Sequence, residues 1–172
     1  MHMSLGQTSL LQKLDETLLA ASSATRAMEL WCEDLLLFPA PVRMTASVER
    51  NGPGRPPDQI RELLAVRPDE IVQYRRVSLS VHRHILSRAE NWYVPARLPD
   101  TMNHVLTMTS EPFGRVVSPL TISRTTLESV RLQPRTGGDE ILRHVAVLRR
   151  KDGIPISIVT EIYMTTLLQR HV

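Results

Sequence analysis

The sequence predicts helices laid over an antiparallel sheet, and three observations carry that reading. Leucines at 10, 11, 14, 18 and 19 recur at helical spacing near the N-terminus. Beyond residue 70, apolar and polar residues alternate with a period of two. Asp152-Gly153 then stands between two alternating runs, the residue chemistry of a tight hairpin turn.

Each element has a local reason. Thr8 to Ala20 reads as an amphipathic helix whose leucine face covers a sheet. Ser22, Ser23 and Thr25 offer N-cap side chains, and Ala24, Met28, Trp31, Cys32, Leu35 and Leu36 form the stripe of a second helix. Pro39 and Pro41 end it, and Val42, Met44, Ala46 and Val48 then alternate with polar residues as a half-buried strand. Gly and Pro make a loop of residues 51–57, after which Asp58 opens a short helix through Leu64.

The sheet follows. In IVQYRRVSLS, Ile71, Val77 and Leu79 share one face while Tyr74, Arg76 and Ser78 share the other, so Arg76 points away from the more apolar side. A second strand is expected from His82 to Arg97, with Trp92 and Val94 opposite Asn91 and Tyr93. Pro99 starts a helix that buries Met102, Val105 and Leu106. Pro112-Phe113-Gly114 makes a turn or short helix start, where glycine lets backbone amides approach a ligand closely. Strands are expected from Ile122 to Leu132 and from Ile141 to Arg150, joined by a loop from Pro134 to Asp139. Pairing Lys151 with Ile154 across a two-residue type I′ turn places Glu161 opposite His144. Glu161 then has two readings: one half of a cross-strand Glu/His pair, or a partly buried carboxylate beside Val159 and Tyr163 that serves as an acid or hydrogen-bonding group.

Composition narrows the functions. A chain of 172 residues with 42% hydrophobic content is expected to be one domain with a core that supports itself. The net charge of +3 comes from 21 Lys plus Arg against 18 Asp plus Glu, and the basic residues are scattered. Nucleic-acid binding is not expected, because phosphate tracking needs a clustered basic face. Cys32 is the single cysteine, which excludes an internal disulfide and a cysteine zinc cluster; its place on the helix stripe reads as core. No signal sequence and no apolar run of roughly 20 residues is present, so a soluble, cytoplasmic protein without membrane contact is expected. His82 and His84 share a strand face by spacing, but no third ligand is near and they read as surface histidines. Gly-x-Ser-x-Gly, P-loop and dinucleotide motifs are absent.

Four segments in order, QYRRVSL, ENWYVPARLP, SEPFGRVV and DGIPISIVTEIY, together with SSATRAME, resemble the chorismate pyruvate-lyase family and its relatives of the chorismate lyase-like fold. The resemblance spans Ser22 to Met164. It implies an α+β fold: a curved antiparallel β-sheet with helices packed on one side and an enclosed ligand cavity. By the same resemblance Arg76 binds a carboxylate, Glu161 acts as acid or hydrogen-bond partner at the opposite end, and the backbone at Phe113 and Gly114 donates to the ligand. Ala24 and Thr25 belong to a flap, and Arg124 falls near a basic position of some members. The reaction implied is elimination of pyruvate from chorismate to give a hydroxybenzoate, with 4-hydroxybenzoate the leading product and 3-hydroxybenzoate the alternative. It needs positioning and a proton donor, with no metal or organic cofactor. Two features depart from the family: Phe113 stands where many relatives have leucine, and LRHVAVLRR is less basic at its centre. The fold also serves non-catalytic effector-sensing domains of transcription regulators. The alternative is therefore a pocket that binds a small aromatic acid without turnover, in a chain expected to act alone, as a monomer or homodimer.

Overall fold

A computed structural model describes residues 3–49, 51–133 and 138–170. The chain opens with helices α1 (Leu5–Ala20) and α2 (Ala24–Asp34), then strand β1 (Thr45–Glu49) and the short helix α3 (Asp58–Leu63). A hairpin of β2 (Gln73–Val81) and β3 (His84–Tyr93) leads to helices α4 (Asp100–Met108) and α5 (Phe113–Val117). Strands β4 (Ser123–Arg131), β5 (Glu140–Arg149) and β6 (Pro155–Met164) follow, with a closing 3₁₀ segment at Thr165–Leu168. All six strands form one antiparallel sheet in the order β1-β2-β3-β6-β5-β4.

Caps explain where the helices begin. Ser4 and Gln7 cap α1 reciprocally, each side chain reaching the other's backbone amide. Ser23 caps α2 by accepting from the Arg26 amide. Leu14 and Leu18 of α1, and Met28 and Cys32 of α2, are buried against Val77, Leu79, Ala146 and Tyr163 of the sheet. Phe113 and Val117 of α5 continue that cover over Tyr93, Leu148 and Ile156. With Leu106 of α4 in the same cluster, four helices lie on one face, as expected for this fold, and α3 adds Ile60 and Leu63 beside Leu64, Trp92, Val147 and Ile158 on the other.

Several sequence expectations shift. The first hairpin turns at His82, whose φ of 53° is left-handed, so His82 and His84 do not share a strand face. The β5–β6 turn holds three residues: Arg150 donates from its amide to the Ile154 carbonyl, and Gly153 takes φ 84°. A register shift between Leu148 and Arg149 compensates for the extra residue, and His144 still pairs with Glu161. Leu127 forms a bulge in β4, which brings Arg124, Thr126 and Ser129 to the same face despite the change of parity. The expected loop at Pro134 to Asp139 lies partly outside the described residues, which omit 134–137.

Polar links fix the helices to the sheet. His144 is fully buried, and its Nε2 lies 2.8 Å from Asp15 Oδ1 of α1, which also accepts from Ser129 at 3.0 Å. Trp31 of α2 donates to the Leu167 carbonyl at 2.9 Å. Glu29 of α2 accepts from the Met44 amide at 2.9 Å and from Arg115 of α5 at 2.5 Å.

Burial, reinforced by the carboxylates of Glu29 and Glu33, pushes the Cys32 thiol from 9.0 up to about 12. Below pH 9 folded and unfolded chains both hold that proton. Above it the unfolded chain loses the proton first, so stability falls as pH rises, by up to about 1.4 kcal/mol per pH unit until the folded pKa is passed. Urea unfolding from roughly pH 8 to 11 is expected to show this slope in the natural chain and a shallower one in Cys32→Ala.

Candidate functional site

Strand parity decides which side chains reach the space between sheet and helices. On β2, Arg75, Val77 and Leu79 are buried and Arg76 is exposed. Arg75 lies directly opposite Asn91 on β3, and Ala89 lies opposite Glu161 on β6. Arg124 comes from the edge strand β4. The helical cover supplies Ser22 to Thr25 at the start of α2 and Pro112 to Gly114 at the start of α5. Together these residues line one cavity. The space in it open to the centre of a water molecule is about 60 Å³. Widened by a water radius on every side, that is roughly 200 Å³, room for one substituted ring.

Charge in this wall is concentrated and buried. Arg75 is 4% exposed, and its Nη2 donates to the carbonyls of Glu111 at 2.8 Å and Thr109 at 3.5 Å. The Arg124 side chain is 2% exposed; its Nη2 donates to Glu161 Oε2 at 2.5 Å, and its Nη1 to Thr126 Oγ1 at 2.8 Å and to the Leu18 carbonyl at 3.3 Å. Burial opposes the Arg124 charge, but Glu161 and Tyr163 together offset it and hold the guanidinium above its ordinary value. Tyr163 donates to the same Glu161 oxygen at 2.8 Å, and burial followed by the Glu161 charge drives its phenol well above the usual range. The phenol therefore stays a donor. Lining residues thus supply two guanidiniums and one carboxylate, a wall that favours an anion.

The sequence-predicted residues divide clearly. Ala24, Thr25, Phe113, Gly114, Arg124 and Glu161 meet at the cavity. Arg76 does not: its side chain is 47% exposed on the outer face, 3.6 Å from Glu49 and 3.7 Å from Glu90. The motif match selected the second arginine of QYRRVSL, whereas the inward one is Arg75, which has the parity of Val77 and Leu79. Glu161 pairs with Arg124 rather than with His144, although it lies opposite His144, because His144 is engaged by Asp15. Asn91 had no sequence signal beyond its face. A Cβ at Gly114 would stand 3.5 Å from Ser23 Oγ and 3.7 Å from Thr25 Oγ1, ordinary contact distances, so this glycine keeps space open and avoids no clash. Among the described residues no group of His, Cys, Asp and Glu is placed to hold a metal, and no helix is long and apolar enough to cross a membrane.

These features define an α+β domain of the chorismate lyase-like class, the fold of GntR-type effector domains. The chain belongs to the family of the uncharacterized protein y4mC of Sinorhizobium fredii (strain NBRC 101917 / NGR234), to which it is 39% identical over 178 residues, covering 92% of this chain and 75% of that one. No protein-family model matches it. Among solved structures, the effector domain of PhnF from Mycobacterium smegmatis superposes with a TM-score of 0.52 at 13% identity, over 83% of this chain and 88% of that one. Whole PhnF gives 0.53 at 13% identity, over 85% of this chain, which spans 65% of PhnF's length. The ligand-binding domain of a GntR-family transcriptional regulator from Bordetella bronchiseptica gives 0.50 at 18% identity, over 72% and 83%.

The lyase expectation is corrected here. Solved structures that share the fold include the ligand-binding domain of a GntR-family transcriptional regulator and the effector domain of PhnF, which points away from a lyase.

The buried ion pair makes a stability prediction. Arg124→Met or Glu161→Gln alone strands a partner and is expected to cost about 3–5 kcal/mol in urea unfolding. The double variant is expected to lose much less than the two costs added together.

Proposed function

We propose that the chain is one non-catalytic ligand-binding domain whose cavity takes a small acid, with aromatic monocarboxylates as the class that fits. The observation that carries this reading is the cavity wall itself. Two buried arginines, one paired to a carboxylate, stand among Val77, Leu79, Phe113, Leu148 and Val159. Apolar walls with a few convergent polar groups suit a flat apolar body with one charged end. Guanidinium is the side chain whose planar donors match a carboxylate. The fold's use in regulator effector domains supports the same reading, as does the room for a single ring.

A bound acid would also sit beneath the cover. Arg75 bonds the backbone at Thr109 and Glu111, just before the α5 turn, so the group that meets the ligand also holds part of the lid.

Benzoate or 4-hydroxybenzoate is expected to raise the melting temperature in proportion to the logarithm of its concentration above Kd. By calorimetry Arg75→Met should weaken binding by roughly tenfold to a hundredfold, whereas Arg76→Ala should change it less than about twofold. Incubation with chorismate is expected to release no pyruvate above the uncatalysed rate. An unaffected Arg75→Met protein would remove this cavity as the binding site.

A further inference from the structure

Asn91 is 3% exposed and lines the cavity on β3, between the Arg75 and Val159 positions of the neighbouring strands. Its Oδ1 accepts from the Ser157 hydroxyl. Its Nδ2 is buried and has no hydrogen-bond partner among the described residues. A buried amide nitrogen left so costs free energy comparable to a lost hydrogen bond, a cost that leucine or valine at this position would not carry. Such a group is expected where a ligand supplies the missing partner.

We propose that Asn91 determines ligand specificity by reading a neutral hydroxyl on the acid bound in this cavity. The inference rests on the acid-binding reading above and extends it to the ligand class: a hydroxy acid in preference to the plain acid. Orientation of the amide does not alter the conclusion. Turned by half a rotation, it presents Oδ1 to the cavity and Nδ2 to Ser157, whose hydroxyl both donates and accepts. A ligand hydroxyl is the neutral group that meets either arrangement. The charge of the ligand is left to Arg75 and Arg124, and the amide adds no charge of its own.

The energetic asymmetry gives the preference its size. Plain acids leave the buried amide unpartnered, while a hydroxy acid in the right position satisfies it. One neutral hydrogen bond of this kind corresponds to roughly tenfold in affinity.

The test is calorimetric titration of the full chain with benzoate and with 2-, 3- and 4-hydroxybenzoate. At least one isomer is expected to bind about tenfold tighter than benzoate, which also identifies the hydroxyl's place. Asn91→Leu is expected to bring that isomer to within about twofold of benzoate. Because this change strands the Ser157 hydroxyl, the companion variant is Asn91→Leu with Ser157→Ala, which removes both polar groups and should behave alike. A structural role for Asn91 would instead weaken benzoate and hydroxybenzoates equally. That result overturns the proposal, as does a preference that survives in both variants or an absence of preference in the natural chain. If none of the four acids binds, the acid-binding reading falls, and this inference with it.

Discussion

Two guanidiniums buried against one sheet face set the terms for everything laid over that face. Hydrocarbon cannot cover Arg75 and Arg124, because their donors must be met. Backbone of the cover meets part of that need: Thr109 and Glu111 beyond α4 for Arg75, and Leu18 in the last turn of α1 for Arg124. These carbonyls lie at or beyond helix ends, where that of Leu18 accepts locally only from the Ala21 amide at 3.3 Å, so each can take a bond from a buried arginine. Among the described residues Glu161 supplies the only carboxylate of the cavity wall, and it faces Arg124.

The rest of the architecture serves this arrangement. Six antiparallel strands give a rigid floor on which neighbouring inward positions are about 5 Å apart across the sheet. Placement of charge on it follows from register alone. The bulge at Leu127 keeps both halves of β4 facing α1, so that Arg124 and Ser129 address the same helix. On the opposite face, Arg97 joins Glu70 to the carbonyls of Leu64 and Pro155 and closes α3 over Trp92 and Ile158. Its hydrogen bonds, with those from the Arg67 amide, hold the Glu70 carboxyl below its usual range.

Much of this was legible in the sequence, for reasons that also mark where legibility ends. Helices α1 and α2 and the six strands carry their period in the residues themselves, and Gly153 marks the turn that positions Glu161. Parity on β2 even held the answer for the inward arginine, since Arg75 alternates with Val77 and Leu79; a motif one residue out of step hid it. The three-residue turn and the nearby register shift had no separate signal, and they cancel in the pairing of His144 with Glu161. Contacts distant in sequence were not readable. Asp15 with His144 is one, and Glu29 with Arg115 is another; both depend on how helices settle on the sheet. Asn91 was hidden for a different reason: it shares the inward face with Ser87 and Ala89, while Arg88 and Glu90 are exposed, but the large apolar Trp92 next to it is buried on the other face and masks that alternation.

The bond from Arg124 to the Leu18 carbonyl puts a cavity residue and the end of α1 in one thermodynamic system. A ligand group that draws that guanidinium toward itself takes a partner from the helix, and a helix held more firmly in place resists the ligand by an equal free energy. If an acid binds as proposed, the position of α1 and the occupancy of the cavity are linked through this one bond.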